Sequence, residues 1–239
     1  MSTNARSLLV ASLLAACAAG ASLGAQEKQK PVIKVPQAGV PQVATIEGTY
    51  VRAAYNNEGY VILGYRTANE SRGEEWMLLE MGATVREKTQ PYKLTRDAIT
   101  LDTPDGAKIP LASVEEYRDA DLRALERRST VVRDSINYFP PLASQPCRIG
   151  FFSDVDNRAM AWDQVELSNT RACLGRVYFK IPNKIQYGQH WLNVKFEQSL
   201  VRVPFRILTD EEEKLLSKNY KDIRKQVKEA FAPPKKGKG

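Results

Sequence analysis

Between Arg176 and Thr209, apolar and polar residues alternate in three consecutive runs. Val177, Phe179 and Ile181 alternate with Arg176, Tyr178 and Lys180. Leu192, Val194 and Phe196 alternate with Asn193 and Lys195. Val201, Val203, Phe205 and Ile207 alternate with Arg202, Pro204 and Arg206. A two-residue period sends every second side chain to one face of a strand, so each run predicts a strand with one apolar and one wet face. Half-buried strands of this kind suit an antiparallel sheet, whereas buried parallel strands read as continuous apolar runs. Upstream, strands are expected over residues 45–55, 60–67, 76–85, 94–101, 108–111, 147–152 and 161–167. Turn-forming clusters such as Asn56-Asn57-Glu58-Gly59 and Pro104-Asp105-Gly106 separate several of them. The expected fold is therefore mainly β: one antiparallel β-sandwich domain over residues 44–208.

Two stretches depart from the strand period. Ser113-Val114-Glu115-Glu116 has the form of a capping box and predicts an inserted helix near 113–128. Its apolar residues Val114, Tyr117, Leu122 and Leu125 make only a rough stripe, and Arg118, Arg123, Arg127 and Arg128 crowd its polar side. A solvated face paired with Glu115, Glu116, Asp119 and Asp121 accounts for these arginines without a ligand. An anion-binding surface is the alternative. Thr209-Asp210-Glu211-Glu212 is a second capping box, and it opens an amphipathic C-terminal helix expected over 209–231. Leu216, Tyr220, Ile223, Val227 and Phe231 follow at steps of three and four, which aligns them on one face. That face either packs on the chain's own sheet or receives a partner. Pro233-Pro234 stop the helix, and residues 232–239 form a basic tail.

The first 25 residues read as a signal peptide: Arg6, then a short apolar run, then small residues. The run is too short to span a bilayer. Ala19-Gly20-Ala21 and Leu23-Gly24-Ala25 suit ordinary cleavage, while Leu14-Ala15-Ala16-Cys17 resembles a lipobox and makes Cys17 a lipidation candidate. Residues 26–43, with Pro31, Pro36 and Pro41, read as an extended leader. The expected location is periplasmic or secreted, with the membrane reached only through the signal peptide or a lipid anchor. Either processing route removes Cys17 from the thiols. Cys147 and Cys173 remain, and in an exported chain a pair reads as one disulfide, the alternative being two separately buried thiols.

The chain carries a formal charge of +7 over 239 residues. That excess permits anionic partners, and no nucleic-acid motif accompanies it. No nucleophile elbow, zinc-protease motif or phosphate loop is present, so no catalytic residue, cofactor or metal is assigned. The single histidine, His190, would have to serve any hydrolase. Asp154 and Asp156 alternate like calcium-loop ligands but lack the glycine and distal glutamate, and an ordinary acidic turn suffices. Trp76, Trp162 and Trp191 could form a sugar- or small-molecule-binding surface if they share an exposed face.

Several segments together, YVILGYRTANES, ITLDTPDGAKIP, GRVYFKIP, GQHWLNVKF and VRVPFRI, resemble telokin-like, immunoglobulin-like sandwich domains of bacterial exported proteins and lipoproteins. The resemblance spans residues 45–208, and the stretch 113–170 departs from it as an insertion. It implies a non-catalytic binding or scaffolding module of the cell envelope, and it offers no catalytic residues to carry over. The expected partner is another envelope protein or an anionic surface polymer.

Overall fold

The alternating runs become strands of two different sheets. A computed structural model describes residues 42–45, 50–153 and 160–219. In chain order the strands are β1 (Gln42–Thr45), β2 (Val51–Tyr55), β3 (Gly59–Gly64), β4 (Trp76–Val85), β5 (Tyr92–Thr95), β6 (Ile99–Asp102), β7 (Lys108–Pro110), β8 (Gln145–Ile149), β9 (Gln164–Leu167), β10 (Arg171–Lys180), β11 (Gly188–Lys195) and β12 (Leu200–Ile207). Helices α1 (Arg66–Glu70), α2 (Val114–Asp119) and α3 (Arg123–Val132) lie among them, and residues 210–219 are helical after β12.

The protein is mainly β, with a six-stranded sheet ordered β1-β2-β3-β4-β10-β8 and a four-stranded sheet ordered β12-β11-β6-β7. A third, two-stranded sheet pairs β5 with β9. Val61, Leu63, Met77, Leu79, Met81, Val177 and Phe179 from the larger sheet join Ile99, Leu101, Leu192, Val194, Val201, Val203 and Phe205 from the smaller in one buried cluster. For Val177, Phe179, Leu192, Val194, Val201, Val203 and Phe205 these are the positions that the two-residue period assigns to the apolar face. Burying each such side chain contributes about 1.5–3 kcal/mol. Tyr65 and Phe205 meet across the layers with ring centroids 5.3 Å apart.

Several expectations are corrected. Among the described residues every strand pair is antiparallel except β8–β10, which is parallel. Residues 45–55 are not one strand; β1 and β2 run antiparallel, with Val43 opposite Ala54. The run 60–67 stops at Gly64, and α1 follows with Thr67, Ala68 and Asn69 buried. The run 94–101 is broken by a 3-10 turn at Arg96–Ala98, so β5 and β6 enter different sheets. Arg96 holds that turn by donating to the carbonyls of Phe151 and Ala112 while covering the Phe152 ring at 4.6 Å. The inserted helix is two helices. A five-residue step from Tyr117 to Leu122 cannot keep both on one face of a straight helix. The chain extends at Ala120 and restarts, and Tyr117, Leu122 and Leu125 all become buried. Both capping boxes form: Ser113 with Glu116, and Thr209 with Glu212.

The outer face of the six-stranded sheet is also covered. After α3 the chain crosses it, and Ile136 packs with Val51, Ala53 and Ile62, flanked by Tyr138 and Phe139. Gly64 and Gly82 make the close approach possible. A Cβ on Gly64 would lie 2.9 Å from Ile136, and one on Gly82 would lie 2.9 Å from Phe139. Arg66 fixes the crossing segment through two hydrogen bonds of 2.9 Å to the Asp134 carboxylate.

Candidate functional site

Alternation along β4 and β10 places Glu80 opposite Arg176, and Gly82 opposite Leu174, in adjacent strands. Gly64 lies opposite Glu80 on the other side, in β3. Three elements surround this floor: β8 at the sheet edge, α3 above it, and the crossing segment 133–137. They border an open cavity of about 1000 Å³. Five arginines line it: Arg123 and Arg127 from α3, Arg133 from the crossing segment, Arg148 from β8 and Arg176 from β10. Ile136, Ile149, Phe152 and Leu174 provide an apolar part of the lining.

Three carboxylates share the cavity, and two are already engaged. Glu126 accepts from both Arg176 and the Tyr178 hydroxyl. Asp134 is held by Arg66. Arg123 pairs with the exposed Asp121 at 3.3 Å. Arg127 and Arg133 form no hydrogen bond or ion pair with any described residue. Among the described residues these two guanidinium groups thus keep their N–H donors unused, and such groups are suited to bidentate recognition of carboxylate, sulfate or phosphate oxygens.

Glu80 is the third carboxylate. It is 7% exposed and makes no hydrogen bond to a described residue. Burial pushes its carboxyl up to about 7, with Asp134 acting in the same direction and Arg176 and Arg133 opposing. A folded-state value above the ordinary 4.5 destabilises the native protein as pH rises from about 4.5 through about 7. The full difference corresponds to about 3 kcal/mol, which solvent in the open cavity reduces to about 1–2 kcal/mol. Glu80→Gln is thus expected to raise the unfolding free energy at pH 8 by about 1–2 kcal/mol and to leave it unchanged below about pH 4.5. Urea denaturation at both pH values checks this.

The residues singled out from the sequence lie elsewhere, apart from Arg123 and Arg127. Arg118 pairs with Asp119 on its own exposed helix face, whereas Arg128 is half-buried and reaches out of the helix to Glu74 and the buried Ser71 hydroxyl. Cys147 and Cys173 face each other across β8 and β10 and are disulfide-bonded. His190 is fully buried in β11, its ring stacked on Phe205 at 5.3 Å. Its Nδ1 lies 3.0 Å from the Gly188 carbonyl, its Nε2 has no hydrogen-bond partner, and burial lowers its pKa. No serine or cysteine hydrogen-bonds it among the described residues, so no nucleophile–base pair is formed there.

Trp76 lies in the six-stranded sheet and Trp191 in the four-stranded one, with Arg202 stacked on Trp191 at 4.6 Å. Trp162, 56% exposed, stands apart in the segment before β9. No ring contact joins any two tryptophans among the described residues. Leu216 packs against the chain's own core. Tyr220, Ile223, Val227 and Phe231, together with Cys17, Asp154 and Asp156, fall outside the described residues. Among the described residues no cluster of potential metal ligands occurs, and no helix is long and apolar enough to cross a membrane.

Sequence reasoning missed Glu80, Arg133, Arg148 and Arg176. Glu80 had a signal: it is the lone charge in the otherwise apolar strand WMLLEMGATV. No family model, curated protein or solved structure matches the chain.

Proposed function

We propose that the chain is an exported, non-catalytic envelope protein that binds a segment of an anionic glycan polymer in the arginine-lined cavity. The observation that carries this reading is the convergence of five arginines from α3, β8, β10 and the crossing segment, with Arg127 and Arg133 unengaged by described residues. The apolar lining suits the faces of sugar rings, and the arginines suit their charged substituents. Export is supported by the signal-like N-terminus and by the disulfide, which fits an oxidising compartment. The immunoglobulin-like assignment of the sandwich, the amphipathic helix over 209–231 and possible lipidation at Cys17 belong to the same proposal.

Binding is preferred to carboxylate-pair hydrolysis because the dominant feature of the cavity is its converging guanidinium groups, which recognise oxyanions. Glu126 and Asp134 are both committed to arginines. The test is a titration with sulfated maltohexaose against unsulfated maltohexaose. The sulfated form is expected to bind, with affinity falling as salt is raised. Replacing Arg127 and Arg133 together with alanine is expected to weaken binding about a hundredfold, the loss of about two charge-assisted contacts. Folding stability should change by no more than about 0.5 kcal/mol, since both side chains are exposed. Equal binding of the two sugars, or an unaffected double variant, would remove the proposal.

A further inference from the structure

We propose that Glu80 is the specificity-determining hydrogen-bond donor of the cavity, so that an anionic glycan is taken up together with one proton that Glu80 retains. This rests on the cavity being the anion site proposed above. The geometry supplies the reason. Glu80 occupies the middle of the floor, with Arg176 across one strand boundary and the bare backbone of Gly64 across the other. Its side chain has no hydrogen-bonding partner among the described residues, while the other two cavity carboxylates are each bound to an arginine.

The charged groups facing Glu80 are divided. From β10 comes Arg176, already committed with the Tyr178 hydroxyl to Glu126 of α3. The crossing segment contributes Arg133, which favours the ionised form of Glu80, and Asp134, which opposes it. Arg123 and Arg127 from α3 and Arg148 from β8 complete the cationic wall. The result is a carboxyl poised near neutrality rather than one locked in an ion pair.

An oxyanion that settles on Arg127 and Arg133 brings negative charge toward Glu80 and draws Arg133 away from it. Two oxyanions side by side repel, and the repulsion raises the carboxyl further. Protonated Glu80 removes the repulsion and can donate its O–H to a ligand oxygen, an arrangement open to no arginine-only site. The proton comes from solvent and stays on the Glu80 carboxyl, and no covalent bond is made to the ligand. Ligands with several closely spaced anionic groups gain most, because one group can take the arginines while its neighbour accepts from Glu80.

The experiment titrates the purified full chain with sulfated maltohexaose, whose sulfates stay ionised throughout, between about pH 6 and pH 8.5. Calorimetry in two buffers of different ionisation enthalpy reads the proton uptake. Above neutrality the wild-type Kd is expected to rise about tenfold per pH unit, with close to one proton taken up at about pH 8. Glu80→Gln keeps a neutral donor, so its Kd is expected to be independent of pH and equal to the wild-type value at low pH. A pH-independent wild-type Kd without proton uptake overturns the inference, as does a Glu80→Gln variant that keeps the wild-type pH dependence. Absence of binding at every pH overturns the cavity reading itself, and this inference with it. The proton count is obtained from the wild-type chain alone, so the test does not depend on the variant folding.

Discussion

Replacing Cys147 and Cys173 with serine is expected to lower the unfolding free energy by about 3 kcal/mol. The pair lies directly opposed in β8 and β10, with Cα atoms 4.1 Å apart and a sequence separation of 26. Opening that loop restores chain entropy to the unfolded state, and the number follows from loop length. Position adds a second effect. β8 is only five residues long and lies at the sheet edge, so β10 is its single strand neighbour. It also carries Arg148 and Ile149 into the cavity wall. The double serine variant should therefore lose affinity for sulfated maltohexaose even under conditions where it remains folded. Guanidinium denaturation with and without reductant measures the first effect. A change below about 1 kcal/mol would mean that β8 is held by its other contacts.

Gly175→Ala is expected to be as damaging, at about 3 kcal/mol or more, for a different reason. A Cβ at position 175 would lie 2.1 Å from the Ile149 carbonyl oxygen and 2.9 Å from its carbonyl carbon. Those are backbone atoms, which cannot rotate aside as a flexible side chain would. β8 must move away from β10, straining the disulfide connection and breaking the parallel pairing. Gly150→Ala is the matched control. There the nearest atom is Arg148 Nε at 3.7 Å, an ordinary contact, and an effect of about 0.5 kcal/mol is expected. Thermal melts of the two alanine variants side by side check the contrast.

The fold was legible where one physical rule governed the residues. Val177, Phe179, Leu192, Val194, Val201, Val203 and Phe205 alternate because each strand has one buried face, and all are buried. Ser113 with Glu116 and Thr209 with Glu212 could be read as caps because the capping box is local. The rule failed where covering of the second face depends on distant chain. Tyr178 falls on the predicted wet face, yet it is buried beneath Tyr117 and Phe152. Sequence periodicity sees a polar hydroxyl there and has no knowledge of the insertion that lies over it. The break at Arg96 was hidden for the same reason, since the carbonyls that hold its guanidinium belong to Ala112 and Phe151.

The candidate site was legible only in part. Arg123 and Arg127 belong to a helical cluster that a solvated face also explains; that explanation holds for Arg118, paired with Asp119, but not for Arg128, which reaches Glu74 and the buried Ser71. Arg148 and Arg176 sit in alternating strands, where a charge on the outer face is unremarkable. Only the parallel pairing of β8 with β10 brings them to one wall. The crossing segment then adds Arg133, through an attachment of Asp134 to Arg66 that spans 68 residues. No local pattern encodes such a junction.

The most direct test of the cavity as the anion site is an arginine Nε–Hε spectrum followed during titration with sulfated maltohexaose. Arg127, Arg133 and Arg148 are expected to shift together along one saturation curve, while Arg202 and Arg206 on the four-stranded sheet stay still. Saturable shifts confined to Arg202, Arg206 or other arginines outside the cavity, with the cavity arginines unmoved, would contradict it.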